Sequence, residues 1–243
     1  MTSTKIVEIN VAGETVRIVR KKIKNLHLGV YPPTGRVRVA APLNVSNHAV
    51  RLAVITRLGW IKRQRAKFAG QPRQTEREMV SGETHYYLGR SCRLRVVEGD
   101  GPRRVVLRNP TTLELHVDHN TKPPERTQVL HRWYRERLRE LVRPLVVKWE
   151  GRLGVRAAEF RIKTMKTMWG SCTRGQRRIW LNLELAKKPV QCIEYIIVHE
   201  LAHFIERNHN AAFVALLDCH LPRWRHYRRT LEAAPLGHNT WKY

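Results

Sequence analysis

Val198-His199-Glu200-Leu201-Ala202-His203-Phe204-Ile205-Glu206-Arg207-Asn208-His209 decides how the rest of the chain is read. It contains H-E-x-x-H, and a third histidine follows six residues after the second. On a helix, positions four apart lie only about 40° out of line, so His199 and His203 project from one face, one turn apart. Two imidazoles so placed can share a zinc ion, while Glu200 sits to the flank, where it can hydrogen-bond a metal-activated water. His209 would point about 80° away on an unbroken helix. It joins the pair only if the helix ends after His203 and the chain reverses, and Asn208, tolerant of the left-handed conformation, is the expected turn former. Glu206 is the rival third ligand. Three ligands strung along one straight helix would span roughly 10 Å, so His209 is favoured.

The setting supports a metal site. Val190-Gln191-Cys192-Ile193-Glu194-Tyr195-Ile196-Ile197-Val198 is an apolar lead-in that suits a buried helix, with Pro189 at its first turn. Histidines and a glutamate drawn into a core need a partner, and a metal supplies one. Cys172 invites a nucleophile reading, but no cysteine-protease context surrounds it. The four cysteines (Cys92, Cys172, Cys192, Cys219) form no C-x-x-C pair, so neither a disulfide framework nor a cysteine-ligated zinc is indicated.

At 243 residues the chain is long enough for a substantial core. Its start shows no signal-peptide core and no run long enough to span a bilayer, so a cytoplasmic protein off the membrane is expected. The net charge is +26, unevenly placed: no Asp or Glu occurs from Thr15 through Thr75, a stretch rich in Arg and Lys. Such a field attracts polyanions, nucleic acid first among them, though no DNA-reading motif is visible.

Along the chain, alternating runs at 5–11 and 14–19 flank Ala12-Gly13, and runs at 25–31 and 36–41 flank Pro32-Pro33-Thr34-Gly35. Ser46 caps a helix expected over 47–68, and Gln71 to Ser81 reads as a polar linker. Strands are expected at 84–88, 92–98, 103–108 and 112–118, then a helix over 125–152 that Pro144 should kink or break. Phe160–Met165 and Ile179–Leu183 read as strands around Trp169-Gly170-Ser171-Cys172, a hairpin able to align an extended peptide. Helices through Phe213–Leu217 and from Pro222 follow, and Pro235–Tyr243 reads as a frayed tail. No internal repeat is evident. The organisation expected is a basic, β-rich region over 1–122 with one long helix and a catalytic region over 123–243, separate or closed into one domain.

Trp169-Gly170-Ser171-Cys172, a following strand with Leu181-Asn182, then Tyr195-Ile196-Ile197-Val198-His199-Glu200-Leu201-Ala202-His203 and Asn208-His209 with Phe213 resemble the YgjP-like metallopeptidase family, related to SprT-like zinc proteases. The likeness covers about residues 17 to 233. It implies an α+β, zincin-like catalytic domain, its H-E-x-x-H helix beside a β-hairpin, preceded by a basic strand-helix-strand region. It further implies His199, His203 and His209 as ligands of one zinc ion and Glu200 as general base. Trp169, Ser171, Asn182 and Tyr195 are the substrate-cleft candidates. Met168 departs from the family, whose members commonly carry a basic residue there. No methionine follows His209, which sets the metzincins aside.

The expected activity is peptide hydrolysis, with nucleic-acid-associated proteins as a substrate class suggested by the basic surface. A metal-dependent hydrolase of nucleoside triphosphates comes second, since no Gly-rich phosphate loop is present. A non-enzymatic nucleic-acid-binding module with structural zinc comes third.

Overall fold

The computed structural model describes residues 6–31, 35–69, 77–165 and 168–233. Contacts divide the chain into two units, Met1–Pro72 and Arg73–Tyr243. The division therefore falls inside the polar stretch at 71–81 and not at residue 122. The reason is burial: Cys92, Leu94, Leu113 and Leu115 share one core with Val129, Trp133, Leu138 and Ile197. The turn Pro32-Pro33-Thr34, most of Gln71–Ser81 and the tail Pro235–Tyr243 lie outside the described residues.

In the first unit β1 (Ile6–Val11) and β2 (Glu14–Lys21) form the expected hairpin. Ala12 and Gly13 both have positive φ, 51° and 80°, as a two-residue hairpin turn requires. Asn10 Oδ1 accepts the Gly13 N–H at 3.0 Å. β3 (His27–Tyr31) and β4 (Arg36–Pro42) pair antiparallel, β2 and β4 pair parallel, and the sheet order is β1-β2-β4-β3. Alternation puts Val16, Ile18, Val37 and Val39 on one face, where they share a core with Val50, Val54 and Ile61. The single helix expected over 47–68 is two helices, α1 (Asn47–Ile55) and α2 (Leu58–Ala69). Thr56 causes the break: its hydroxyl donates to the Ala53 carbonyl at 3.2 Å, a back-bond that competes with helix continuation. Ser46 Oγ caps α1 through the Ala49 N–H.

The second unit begins with β5 (Thr84–Tyr87), β6 (Arg90–Glu98), β7 (Arg104–Asn109) and β8 (Thr112–Val117) in the order β5-β6-β8-β7. The central pair is again parallel and both outer pairs antiparallel, so the chain draws one topology twice. Sequence showed no repeat because alternation and turn residues set this topology, and residue identity is free to drift.

Next comes α3 (Pro123–Leu153), ended by Gly154 at φ 64°. It runs through Pro144 as one helix, so the break allowed for there does not occur. Pro144 lies on the exposed face, where the carbonyl it strips of a partner can meet water, while Val142, Val146 and Trp149 are buried to either side. A three-stranded sheet of β9 (Glu159–Lys163), β10 (Gly170–Thr173) and β11 (Arg178–Asn182) follows, in the order β10-β11-β9, which leaves β10 at an edge. Then come α4 (Val190–Ala202), α5 (Ala211–His220) and α6 (Trp224–Ala233). The class is mixed α+β. All four cysteines are free, and among the described residues no helix is long and apolar enough to cross a membrane.

Candidate active site

The apolar lead-in makes α4 a core helix: Ile193, Ile197, Val198, Leu201 and Ala202 are each fully buried. That burial draws His199 and Glu200 inward. α4 ends at Ala202, with His203 as its C-cap. The chain then turns, Ile205 and Glu206 N–H both donating to the Ala202 carbonyl at 3.0 and 2.9 Å. Asn208 is not the left-handed residue expected there, since it is absent from the positive-φ residues. Glu206 organises the reversal instead: its carboxylate accepts the Asn208 N–H at 3.0 Å, and its carbonyl faces His203 Nδ1 at 3.2 Å. Hydrogen bonds from the Asn208 N–H and then from the Asn210 side chain hold the Glu206 carboxyl below its usual range. Glu206 is therefore spent on the turn, and the turn returns His209 to the helix.

One ligand atom from each of His199, His203 and His209 lies within 4.8 Å of the others, and Glu206 is not in the group. His199 Nε2 and His209 Nε2 are 3.0 Å apart. Ligand nitrogens of a tetrahedral zinc stand about 3.3 Å apart at the usual bond length of about 2.05 Å, so the set fits a divalent ion. Burial, then the two neighbouring imidazoles, pushes His199 down to about 3, and burial lowers His203 too. Both rings are thus held neutral, the form that ligates a metal. His203 Nδ1–H donates to the Glu206 carbonyl, which leaves Nε2 for the ion. His199 Nδ1 is buried with no hydrogen-bond partner, so the protein does not fix that ring's tautomer.

Glu200 is 5% exposed, and burial pushes its carboxyl up to about 8. A cation at the adjacent triad would draw it back down. β10 packs against this side of α4 at Gly170. A Cβ there would lie 2.6 Å from Glu200 Oε1 and 2.9 Å from both Glu200 Cγ and Ile196 Cγ2. Only glycine allows strand and helix to approach so closely.

The sequence profile of the YgjP-like, metallopeptidase domain matches residues 24–234. The chain belongs to the YgjP-like metallopeptidase family. It is accordingly a metal-dependent hydrolase with polypeptide substrates, and the family implies a divalent metal, which the histidine triad is able to hold. Solved structures similar to part of this YgjP-like chain include two metallopeptidase zymogens. Abylysin of Pyrococcus abyssi is 21% identical, covering 37% of this chain and 90% of its own, with a TM-score of 0.35. Jannalysin of Methanocaldococcus jannaschii is 22% identical, covering 37% and 86%, with a TM-score of 0.34. No curated protein matches the chain.

The triad and Glu200 of this YgjP-like protein open into a cleft of about 940 Å³ lined also by Trp169, Ser171, Cys172 and Tyr195. Of the four cleft candidates, Asn182 is the one that does not line it. It is fully buried and braces the backbone at Met165 and Met168, its Nδ2 donating to their carbonyls at 2.9 and 2.8 Å. Its Oδ1 accepts the Met165 and Glu184 N–H groups at 3.2 Å. Tyr195 stands edge-on to His199 with centroids 5.8 Å apart and stacks on Trp224 at 6.1 Å. Burial pushes its phenol up to about 12. The Cys172 thiol is raised to about 11 by burial and then by Glu200, the opposite of an activated nucleophile.

Two contributors were not singled out as site residues from sequence. Phe213, 2% exposed, forms the floor, its ring centroid 5.1, 4.8 and 4.8 Å from those of His199, His203 and His209. Its spacing after Asn208-His209 was the available signal. Arg228 on α6 lines the cleft, its Nε 3.0 Å from Glu232 Oε1; no local motif marks it.

Proposed function

We propose that this YgjP-like protein is a zinc peptidase in which His199, His203 and His209 hold one ion and Glu200 is the general base. The observation that carries the reading is the convergence of the three imidazoles within 4.8 Å beside a buried carboxylate. Zinc, when bound, supplies a Lewis acid that polarises the scissile carbonyl and acidifies a water. The Glu200 carboxylate takes the proton from the attacking water and returns it to the leaving amine, a transfer that its dry surroundings favour by keeping its proton affinity high. β10, paired on one side only, offers backbone groups to an extended substrate, and Gly170 brings that strand against Glu200. Trp169 and Ser171 would meet the substrate along it.

The basic first unit supports a second part of the reading, contact with nucleic acid. Met1–Pro72 carries 14 Lys and Arg against two Glu. Arg65 uses Glu14 and the Gly35 carbonyl, and Arg20 uses the Pro42 carbonyl and neighbouring acceptors. Those two hold the unit together. Arg17 and Arg38 lie in cross-strand register on the opposite sheet face, both half-buried, with Arg17 Nε enclosed and without a hydrogen-bond partner, a donor that a phosphate would satisfy.

Metal stoichiometry tests the ligand set. His199→Ala, His203→Ala and His209→Ala should each lose zinc, while Glu206→Ala weakens it only through the turn. Full zinc retention in His209→Ala with loss in Glu206→Ala would reverse the assignment. If triphosphates were hydrolysed and no peptide were, the bond assigned here would be wrong.

A further inference from the structure

The two ends of the cleft differ in character. At one end are Met168, 51% exposed, and the Trp169 ring. At the other, Arg174 leaves the end of β10 and Arg207 comes from the reversing turn between His203 and His209. They stand on two separate elements, and both line the cleft.

Of the three guanidiniums that line the cleft, one has a carboxylate of its own and two do not. Arg126, Arg161, Arg178 and Arg225 each have a carboxylate within ion-pair distance. Arg228, the third guanidinium on the cleft, is answered by Glu232. Glu206, the nearest acid in sequence to Arg207, accepts the Asn208 N–H and acts on Arg174 only from beyond ion-pair distance. Arg174 makes one long contact, 3.5 Å to the Phe204 carbonyl. Neither Arg174 nor Arg207 has a carboxylate within ion-pair distance among the described residues, and both are exposed.

We infer that Arg174 and Arg207 form a subsite that selects substrates carrying an acidic side chain at this end of the cleft, with apolar residues preferred at the Trp169 end. The inference rests on the peptidase reading above. Arg174 lies four residues along the strand from Gly170, about 13 Å at ~3.3 Å per residue. A substrate laid along β10 from Glu200 thus brings a side chain within the first four residues from the scissile bond level with Arg174, on the cleft that Arg207 also lines. Guanidinium N–H groups donate in a fixed fork that a carboxylate accepts bidentately, so a pair of this kind suits an acidic side chain. The pair is a specificity element; the proton transfers belong to Glu200.

The experiment uses the full zinc-loaded chain and three otherwise identical peptide series, with Glu, Gln or Lys scanned across the four positions on each side of the cleaved bond. For the native chain, kcat/KM at the preferred position should favour Glu over Gln by about tenfold at low salt, the scale of two partly exposed ion pairs, with the difference carried in KM. High salt should shrink it. In Arg174→Glu/Arg207→Glu the order, taken relative to the Gln peptide for the same enzyme, should invert so that Lys is favoured. Arg174→Lys/Arg207→Lys should keep the order. A structural role would lower all three peptides together and could not invert their ranking. Cleavage of all three at equal rates by the native chain would overturn the subsite while leaving the peptidase reading intact. Failure to cleave any peptide would overturn both. Loss of triphosphate hydrolysis in the reversed variant, without any peptide cleavage by the native chain, would reassign the pair to phosphate.

Discussion

Replacing Gly170 with alanine adds one methyl group where the chain has no room for it. The new Cβ would sit 2.6 Å from Glu200 Oε1, about 0.8 Å inside ordinary contact, and 2.9 Å from Glu200 Cγ and Ile196 Cγ2. A carboxylate tip alone could swing aside. The Cγ and the isoleucine methyl cannot, because Ile196 and Glu200 are 6% and 5% exposed on a helix buried along most of its length. Either β10 moves off α4 or Glu200 is displaced by most of an ångström. Overpacking of this kind costs about 1–3 kcal/mol. A misplacement near 1 Å at a catalytic group costs on the order of 10²-fold in rate. The assay is kcat and KM on a cleaved peptide, with zinc content and a urea melt on the same preparation. The expected result is one zinc per chain, a modest loss of stability and a kcat down by about two orders of magnitude. Gly101→Ala, where nothing lies within 4 Å of the added Cβ, is the matched control and should change neither. Native kcat in Gly170→Ala would refute the reasoning that strand contact sets the position of Glu200.

Further outcomes follow from the same geometry. Asn182→Ala removes the side-chain partners of the Met165 and Glu184 N–H groups and the Met165 and Met168 carbonyls inside the core, so chemical denaturation should show a loss of about 2–4 kcal/mol. Phe213→Ala opens a cavity under the three imidazoles and should cost about 3–5 kcal/mol by the same measurement, with weaker zinc binding in a competition titration against a chelator. Removing zinc from the native chain should abolish peptide cleavage and lower the melting temperature, and restoring it should recover both. Arg17→Glu and Arg38→Glu should weaken binding of single-stranded DNA in a salt titration, each lowering the log-log slope by about 0.7.

Much of the site was legible in local sequence because its chemistry is helical. His199, Glu200 and His203 are spaced by the helix itself, and the apolar lead-in announces that this helix is buried. His209 was reachable through an argument about length: a straight helix cannot deliver a third ligand, so a reversal is needed. What occupies that reversal was misread, since Asn208 looked like the turn former and Glu206 like the rival ligand. The Glu206 carboxylate turned out to accept the Asn208 N–H, a bond between neighbours that spacing does not reveal. Asn182 was read as a cleft residue from its motif, and burial shows it to be a brace. The boundary misplaced at 122 and the unnoticed repeat share a cause. Strand alternation reports which face of a strand is buried, while the partner it is buried against, here α3 for β5 to β8, depends on tertiary packing. Pro144 failed as a breaker because exposure on one helix face lets water replace the lost bond.

The most direct test of the account is intact-mass analysis of an unfolded model protein incubated with the zinc-loaded chain and, in parallel, with zinc-loaded Glu200→Gln. Discrete fragments are expected from the native chain and none from the variant, with one zinc in each. The same fragments at the same rate from both would contradict the account, because the proton transfer assigned to Glu200 would then be made elsewhere.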